Sequence, residues 1–484
     1  MSSRSHEGEG TLRRVIVPVL VAIAFLSAGC GARLTDEQVA TATAAGGQSA
    51  TGAGTGATAG GATTGVAAGD ATAAGGTAGA ATPGAVAGAP TDAGAAGGDA
   101  GATGEGDAAA ECAPQPTDAV GVTDTEVRIG NISTISGPVA GFGQTGVNAV
   151  KAYVNYVNAT GGVCGRQLTL ETSDDRLDTG TNRSETQRLV GEVFGFVGGT
   201  TVVDDGGAAV LSGTPDVPDV ALTIGSQRAR LPNNFSPNPI NPDQPGNGAI
   251  APLRYFAGQG VTSAAIVWPA QADARARGQA YQYDLQQAGI TQIQTIEVAI
   301  TETNYVRVAQ EIANAGSQLV LTTLEVSGMA RLAQAFEQIN YHPQVPFYGA
   351  QAYGGKFLEL AGTAANGTKL AVTFSIFEDA GAVPAMATFL EWYERTAPGS
   401  KPDFFAIMAW AAADMFTTAL REAGGAPTRA AVVERLRAQT AYTGNGFMAP
   451  RNPPAKVLGD CFVVITVENG AWRRVEPASG FLNC

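Results

Sequence analysis

The sequence predicts an α/β protein whose folded part consists of two Rossmann-like lobes, each built on a parallel β-sheet. Three observations support this fold class. Strand and helix patterns alternate from Val122 onward, the alternation restarts near Ala264, and the stretch of about 360 residues is long for one hydrophobic core. Because open parallel sheets bind ligands outside the carboxyl ends of their strands, those ends are the expected location of a functional site.

The individual elements follow from hydrophobic spacing. Short apolar runs rich in β-branched residues predict strands, and apolar residues three and four apart predict helices. The first block contains strands at 127–132, 168–172 and 196–198 and helices at 146–158 and 186–194. The second contains strands at 264–268, 293–298 and 319–323 and helices at 278–288, 305–315 and 328–339. A further helix is predicted over 404–421.

The N-terminus has the pattern of a lipoprotein signal peptide over residues 1–29. Arg4, Arg13 and Arg14 precede an apolar run at 15–26, which is short for a membrane span, and the run ends in a Leu-Ser-Ala-Gly-Cys box at Cys30. This pattern predicts cleavage before Cys30, lipidation of its thiol and anchoring to the outer face of the cell membrane. The alternatives are a membrane helix with an incidental cysteine and, from the arginine pair alone, twin-arginine export.

Residues 30–111 are predicted to be the lipidated cysteine followed by a disordered tether. Almost all of this stretch is Ala, Gly and Thr, which bury too little apolar surface to offset the entropy of ordering. As a flexible coil it would span roughly 50 Å, enough to hold a domain clear of a lipid surface.

Four cysteines remain after Cys30, an even number that favours two disulfides in an exported chain. Three connectivities are possible. We favour Cys112 with Cys164, which ties the start of the domain to an early loop, and Cys461 with Cys484, which fixes the tail to the last strand. A zinc site is disfavoured because the sequence has no Cys-x-x-Cys and His342 is the only histidine after the signal peptide.

Other motifs argue against an enzyme and against nucleotide binding. Gly141, Gly143 and Gly146 match the dinucleotide fingerprint, but a loop at 133–140 separates them from the preceding strand. His342 follows a helix, and no second histidine is available for a catalytic triad. The acid pairs at 174–175 and 204–205 are predicted to be solvated loop charges. A net charge of −14 opposes nucleic-acid binding. No cofactor or metal is expected.

Several segments together resemble branched-chain amino-acid-binding proteins of ABC importers. They are the loop Ile129-Gly130-Asn131-Ile132-Ser133-Thr134-Ile135-Ser136-Gly137-Pro138, the Asn158–Gly165 turn, Phe196–Thr201, Phe347–Gln351 and the helix from Phe404. The resemblance implies a type I periplasmic-binding-protein fold with three hinge crossovers. It also implies lobes of about 122–250 with 373–440 and about 251–372 with 441–484, which close on a small ligand.

A binding site is expected where strand ends bring backbone N–H groups and hydroxyls into the cleft, at 198–201 and 225–227. The resemblance adds Phe142 and Phe405 as aromatic positions, although Phe405 is as consistent with the core. Combining both arguments, the ligand-binding residues are predicted to be Phe142, Thr200, Thr201, Ser226, Gln227, Glu325, Gln351, Tyr353 and Phe405.

The sequence also departs from the amino-acid binders. Gln351 stands where they place a glutamate for the ligand's ammonium group, and Asp204 lies near the pocket for its carboxylate, which it would repel. Glu325 is the candidate to replace that glutamate and to contact the cationic end of the ligand. The ligand is therefore left open among amino acids, amides, urea-like molecules, polyamines and other small metabolites.

The predicted function is that of a monomeric, lipid-anchored solute-binding protein that delivers a small polar metabolite to an ABC permease. A ligand sensor of the same fold with a separate signalling partner is the main alternative, and a cell-surface enzyme is a weaker one. Release and identification of a co-purified ligand is the observation that would discriminate best.

Overall fold

The computed structural model describes residues 112–139, 141–246, 248, 250–299 and 301–484. The predicted signal peptide, Cys30 and the tether at 30–111 lie outside these residues. Within them, both disulfides form as predicted, Cys112 with Cys164 and Cys461 with Cys484, at Cα separations of 4.7 and 5.1 Å.

The first lobe is built on a five-stranded parallel sheet in the order β2-β1-β3-β4-β5. Val127 and Ile129 of the β1 strand are buried, as expected for a strand with neighbours on both edges. The strands are β1 Glu126–Ser133, β2 Gln167–Asp174, β3 Gly195–Val197, β4 Asp219–Val220 and β5 Asn234–Phe235. The helices between them are α1 Gln144–Ala159, α2 Thr179–Leu189, α3 Ala208–Ser212 and α4 Ser226–Ala229.

The second lobe has a four-stranded parallel sheet in the order β7-β6-β8-β9. Its elements are α5 Ile250–Gly258, β6 Ser263–Pro269, α6 Ala272–Gln287, β7 Gln292–Val298, α7 Val306–Ala315, β8 Leu319–Thr322, α8 Val326–Gln338, β9 Val345–Pro346 and α9 Gly355–Ala361. A parallel bridge between Phe347 and Lys369 continues this sheet into β10 Lys369–Val372.

The chain then returns to the first lobe through α10 Pro384–Thr396, α11 Phe404–Glu422 and α12 Arg429–Ala438. Helices α10 and α11 pack against α1, and α12 packs against α11. Most residues of α11 are buried, which explains why the sequence of this helix is apolar on nearly every face. The last two strands, β11 Val463–Glu468 and β12 Ala471–Glu476, form an antiparallel sheet with β10.

Most predicted elements are confirmed to within two residues at each end, but two helices were placed wrongly. Helix α2 begins at Thr179 and ends at Leu189 rather than spanning 186–194. Only three side chains of this helix are buried, so the spacing of its apolar residues is a weak signal. Its start is set by Asp178, whose carboxylate accepts the Thr181 N–H. Helix α6 begins at Ala272, six residues before the predicted start, because its first turns are polar.

Three crossovers join the lobes, between β5 and α5, between β10 and α10, and between α12 and β11. The second and third pair through backbone bonds, Ser375 N–H to Phe447 O at 2.9 Å and Ala449 N–H to Thr373 O at 3.0 Å. Arg451, 2% exposed, connects all three, since from the third crossover it donates to Thr373 O and, at 2.5 Å, to Pro237 O. Burial lowers the pKa of Arg451 to about 9. This buried guanidinium therefore holds the hinge together.

Candidate functional site

The carboxyl ends of β1, β2 and β3 are joined by a network of buried hydroxyls and one carboxylate. Thr134 Oγ1 donates to Asp175 Oδ1 at 2.7 Å and lies 3.0 Å from Thr201 Oγ1. The N–H of Thr134 donates to Thr200 O at 3.0 Å. Thr200 and Thr201, both predicted as ligand contacts, are therefore buried and bonded within this network, which fixes the shape of the strand ends.

Two glycines of the dinucleotide-like motif, Gly143 and Gly146, allow helix α1 to pack closely. A Cβ on Gly146 would lie 2.4 Å from Thr200 Oγ1, and one on Gly143 would lie 2.7 Å from Thr200 O. The loop at 134–143 separates β1 from the helix, as the sequence indicated. Gly143 and Gly146 are therefore explained by close approach of the helix to the strand ends, whereas Gly141 has a positive φ of 81° and open space beside it.

An aromatic pair stands at the same edge of the first lobe. The rings of Phe142 and Phe405 have centroids 4.7 Å apart, and both side chains are partly buried. Two apolar residues nearby in the strand-end loops are exposed, Val139 at 45% and Val202 at 42%. The first-lobe edge therefore presents apolar surface beside the paired rings.

The pairs Asp174–Asp175 and Asp204–Asp205 were interpreted from the sequence as solvated loop charges, and this interpretation is wrong for Asp175 and Asp204, which are buried. Asp204 accepts the N–H groups of Ile224 at 3.0 Å and Gly225 at 2.8 Å. Burial raises the pKa of Asp204 to about 6, although Arg228 and these two N–H groups act in the opposite direction.

Asp205 completes the same arrangement at the start of helix α4. Its Oδ1 accepts the Arg228 N–H at 2.8 Å, and the Arg228 side chain is itself held in a buried ion pair with Asp219. Three N–H groups of this loop are thus occupied by carboxylates of the chain itself. Ser226 and Gln227 are the first residues of helix α4 and are exposed, so their side chains remain accessible.

Asp174 plays a comparable role in the loop after β1. It accepts hydrogen bonds from Ile135 N–H at 2.9 Å, from Ser136 N–H at 3.1 Å and from the Ser136 hydroxyl. Partial burial favours the neutral acid, but these bonds together with that of Arg176 outweigh it and lower the pKa of Asp174 to about 2.

The second lobe contributes three predicted site residues in different environments. Glu325 is exposed and caps helix α8, accepting the N–H groups of Ser327 and Gly328, each at 2.7 Å. Gln351 is partly buried in a short 3₁₀ turn at Ala350–Ala352. Tyr353 is fully buried.

The hydroxyl of Tyr353 is occupied within the protein. It donates to Glu378 Oε2 at 2.9 Å and accepts the Phe377 N–H at 2.6 Å. The carboxylate of Glu325 and the hydroxyl of Tyr353 therefore already have partners in the chain, whereas the partly buried Gln351 side chain lies next to the backbone of Gly349.

The lobes touch where this turn meets the N-terminus of α11. The N–H of Phe404 donates to Tyr353 O at 3.2 Å, and Gly354 forms a backbone bridge with Asp403. Asp403 caps α11 through the Ala406 N–H at 3.0 Å and accepts the Thr145 hydroxyl at 2.8 Å. Burial raises the pKa of Asp403 to about 6 against the effect of these bonds.

Phe142 and Phe405 are thus brought together by contacts that also place Gln351 two residues from the point where the lobes meet. The sequence reasoning missed the contributions of Thr134, Asp174 and Asp403. The signal available for Asp403 was its position immediately before an apolar helix, which is typical of an N-cap.

The one histidine of the described residues, His342, is exposed. Its Nδ1 lies 3.8 Å from Glu337 Oε1. None of the helices in the described part of the chain combines the length and apolar character that crossing a membrane requires.

Comparison with known proteins gives the class to which this two-lobed architecture corresponds. The chain belongs to the periplasmic binding protein family, whose model matches residues 126–471. It is 28% identical over 105 residues to the Leu/Ile/Val-binding protein BraC3 of Rhizobium johnstonii, covering 20% of this chain and 29% of that protein. It is 22% identical over 321 residues to Leu/Ile/Val-binding protein homolog 3 of Brucella melitensis biotype 1, covering 64% of this chain and 83% of that protein.

Among solved structures, a fatty acid ABC transporter substrate-binding protein from Thermomonospora curvata is similar with a TM-score of 0.62 at 18% identity, covering 75% of this chain and 94% of the other. The type I fold predicted from the sequence and the family resemblance are both confirmed. The family is that of periplasmic binding proteins, and the similar solved structures are described as substrate-binding proteins of ABC transporters.

Proposed function

We propose that this protein is the lipid-anchored solute-binding component of an ABC importer and that its two lobes close on one small metabolite. The observation that carries the proposal is the pairing of Phe142 with Phe405 at the strand ends of the first lobe, next to the turn of the second lobe that bears Gln351. Ligands that contact both lobes favour the closed state, because only a difference in affinity between two states shifts their equilibrium.

The ligand is proposed to place an apolar portion against the aromatic pair and to direct no carboxylate at the loop before helix α4. Asp204 and Asp205 already occupy three N–H groups of that loop, and their negative charge would repel a ligand anion. Uncharged amides and related compounds with an apolar part satisfy both conditions. The names of the Leu/Ile/Val-binding homolog from Brucella melitensis and of the fatty acid substrate-binding protein from Thermomonospora curvata indicate ligands with large apolar groups, which supports the apolar portion of this proposal.

Mass spectrometry of ligand released from the denatured protein tests the proposal directly. A co-purified small molecule with an apolar part and no free carboxylate is the expected result, and a free carboxylic acid would contradict the ligand class. Calorimetry with the identified compound then locates the site. We expect Ser226→Ala and Gln351→Ala each to weaken binding by about 1–3 kcal/mol, with Ser184→Ala, at an exposed position of helix α2, as the control.

The anchor and the transport role need separate experiments. Metabolic labelling with a radioactive fatty acid is expected to mark the wild type and to leave Cys30→Ala unmarked; an unlabelled wild type would contradict anchoring.

Uptake of the identified ligand by cells that lack this gene discriminates transport from sensing. A sensor of the same fold would bind the ligand equally well, but its loss would leave uptake unchanged.

A further inference from the structure

A cavity lies among the helices of the first lobe, away from the strand ends. It has a volume of about 280 Å³ and is lined in part by Tyr153, Tyr156, Trp410, Asp414, Tyr442 and Phe447. Its walls come from α1, α11, the start of α10 and the third crossover. A volume of this size is near the lower limit of ordinary ligand pockets, which span roughly 300–1,000 Å³, so it admits only a small molecule.

Aromatic rings form much of the wall. Tyr156 and Trp410 are stacked with centroids 6.0 Å apart, and Tyr153 meets Trp410 edge-on at 4.9 Å. Trp410 is 5% exposed, whereas Tyr156 is only partly buried and stands nearer the opening. The faces of such rings carry the negative part of the aromatic quadrupole, which attracts cations.

The wall also carries one carboxylate, that of Asp414. Its Oδ1 accepts the Tyr153 hydroxyl at 3.0 Å and its Oδ2 accepts the Tyr442 hydroxyl at 2.9 Å. Burial raises the pKa of Asp414, while Tyr442, Tyr153 and Arg421, seven residues along the same helix, act in the opposite direction. In the described part of the chain no side-chain cation forms an ion pair with this carboxylate within 4.0 Å.

We propose that this cavity binds a small organic cation, an alkylammonium group of about the size of choline. The cation would lie between the aromatic wall of the cavity and the Asp414 carboxylate, which together supply cation–π attraction and a counter-charge. An anion would be repelled by the carboxylate. A hydrated metal ion is disfavoured because it needs several oxygen ligands, and the cavity offers a single carboxylate.

Choline and its neutral isostere 3,3-dimethylbutan-1-ol are the matched probes, with saturation-transfer NMR or calorimetry as the readout on the purified protein. Choline is expected to bind saturably with a dissociation constant in the millimolar range or tighter, and the isostere about tenfold more weakly. Absence of saturable choline binding, which would mean a cavity that holds only water, overturns the proposal. Equal binding of the two probes overturns it as well.

Variants locate the cation. Asp414→Asn removes the charge and is expected to weaken choline binding about tenfold while changing the isostere little. Tyr156→Leu, at a partly buried position, provides a second test if the first variant does not fold, which circular dichroism detects. Tyr283→Leu, on an exposed part of α6 in the other lobe, is the control and should bind choline normally. Choline binding that is unchanged in both cavity variants, or lost equally in the control, would overturn the assignment.

Discussion

Replacing Asp403 by asparagine should stabilise the protein at neutral pH. The carboxylate caps α11 and contacts Thr145, and both of these hydrogen bonds go to the same oxygen, Oδ1. Asparagine keeps an acceptor oxygen at that position and is as good an N-cap as aspartate, so the substitution removes the charge and retains the bonds. The charge itself is unfavourable because burial raises the pKa of Asp403 from 3.8 to about 6.

The magnitude follows from proton linkage. A pKa raised in the folded state means that the folded protein binds the proton more tightly than the unfolded chain, so the associated stability is present below about pH 4 and is lost as pH rises through about 6. The full effect corresponds to about 3 kcal/mol, and partial exposure of the group reduces it to an expected 1–2 kcal/mol, roughly. Asp403→Asn should therefore exceed the wild type by this amount at pH 7.5 and match it near pH 4.

Urea denaturation monitored by tryptophan fluorescence, at several pH values between 4 and 8, measures this difference. Asp204→Asn is the matched control, because the pKa of Asp204 is also raised to about 6 but both of its carboxylate oxygens accept backbone N–H groups. In Asp204→Asn, the new amide nitrogen would face one of these N–H donors and could not accept its hydrogen bond. We therefore expect this variant to be less stable than Asp403→Asn by about 1–3 kcal/mol. A difference between wild type and Asp403→Asn that does not vary with pH would refute the reasoning.

Three further substitutions test the supports of the fold by the same denaturation assay. Arg451→Met removes two buried hydrogen bonds of the hinge, to Pro237 O and Thr373 O, although Thr373 O keeps the Ala449 N–H; it should lower the free energy of unfolding by about 2–4 kcal/mol, and a loss below about 1 kcal/mol would contradict the hinge role. Arg166→Met removes three hydrogen bonds of 2.6 Å to the carbonyls of residues 115, 123 and 425 and should cost about 3 kcal/mol, against less than about 0.5 for exposed Arg473→Met. Replacing Cys461 and Cys484 together by serine should cost about 3 kcal/mol, and an unchanged midpoint would contradict that estimate.

The sequence predicted the fold where burial imposes a regular spacing of apolar residues. Strand β6 and helix α11 are buried almost throughout, and both were located to within one residue at each end. Helix α2 was misplaced because it lies on the surface with few buried side chains, and its boundary depends on a single cap at Asp178. Caps act locally and leave no periodic signal, so spacing alone does not detect them.

The sequence predicted which segments supply the candidate site residues, but it did not predict the environments of those side chains. Strand ends and family positions were sufficient to select Phe142 and Phe405, which prove to be in contact. The partners of Thr200 and Tyr353 come from segments distant in the chain, and no local pattern indicates that these side chains are buried. Whether a polar side chain faces the cleft or the core depends on how several loops pack together, which one-dimensional spacing does not encode.

The aspartates at the strand ends show how this packing constrains recognition. Asp174 and Asp204 each accept at least two backbone N–H groups from neighbouring loops. Asp205 accepts one more, the Arg228 N–H, next to the two that Asp204 accepts. These carboxylates fix the loops, but they also use the donors that an open loop would offer to an anionic ligand. At the proposed site, recognition in the first lobe would then depend on the exposed side chains of Ser226 and Gln227 and on the aromatic pair, a combination suited to an uncharged ligand with an apolar portion.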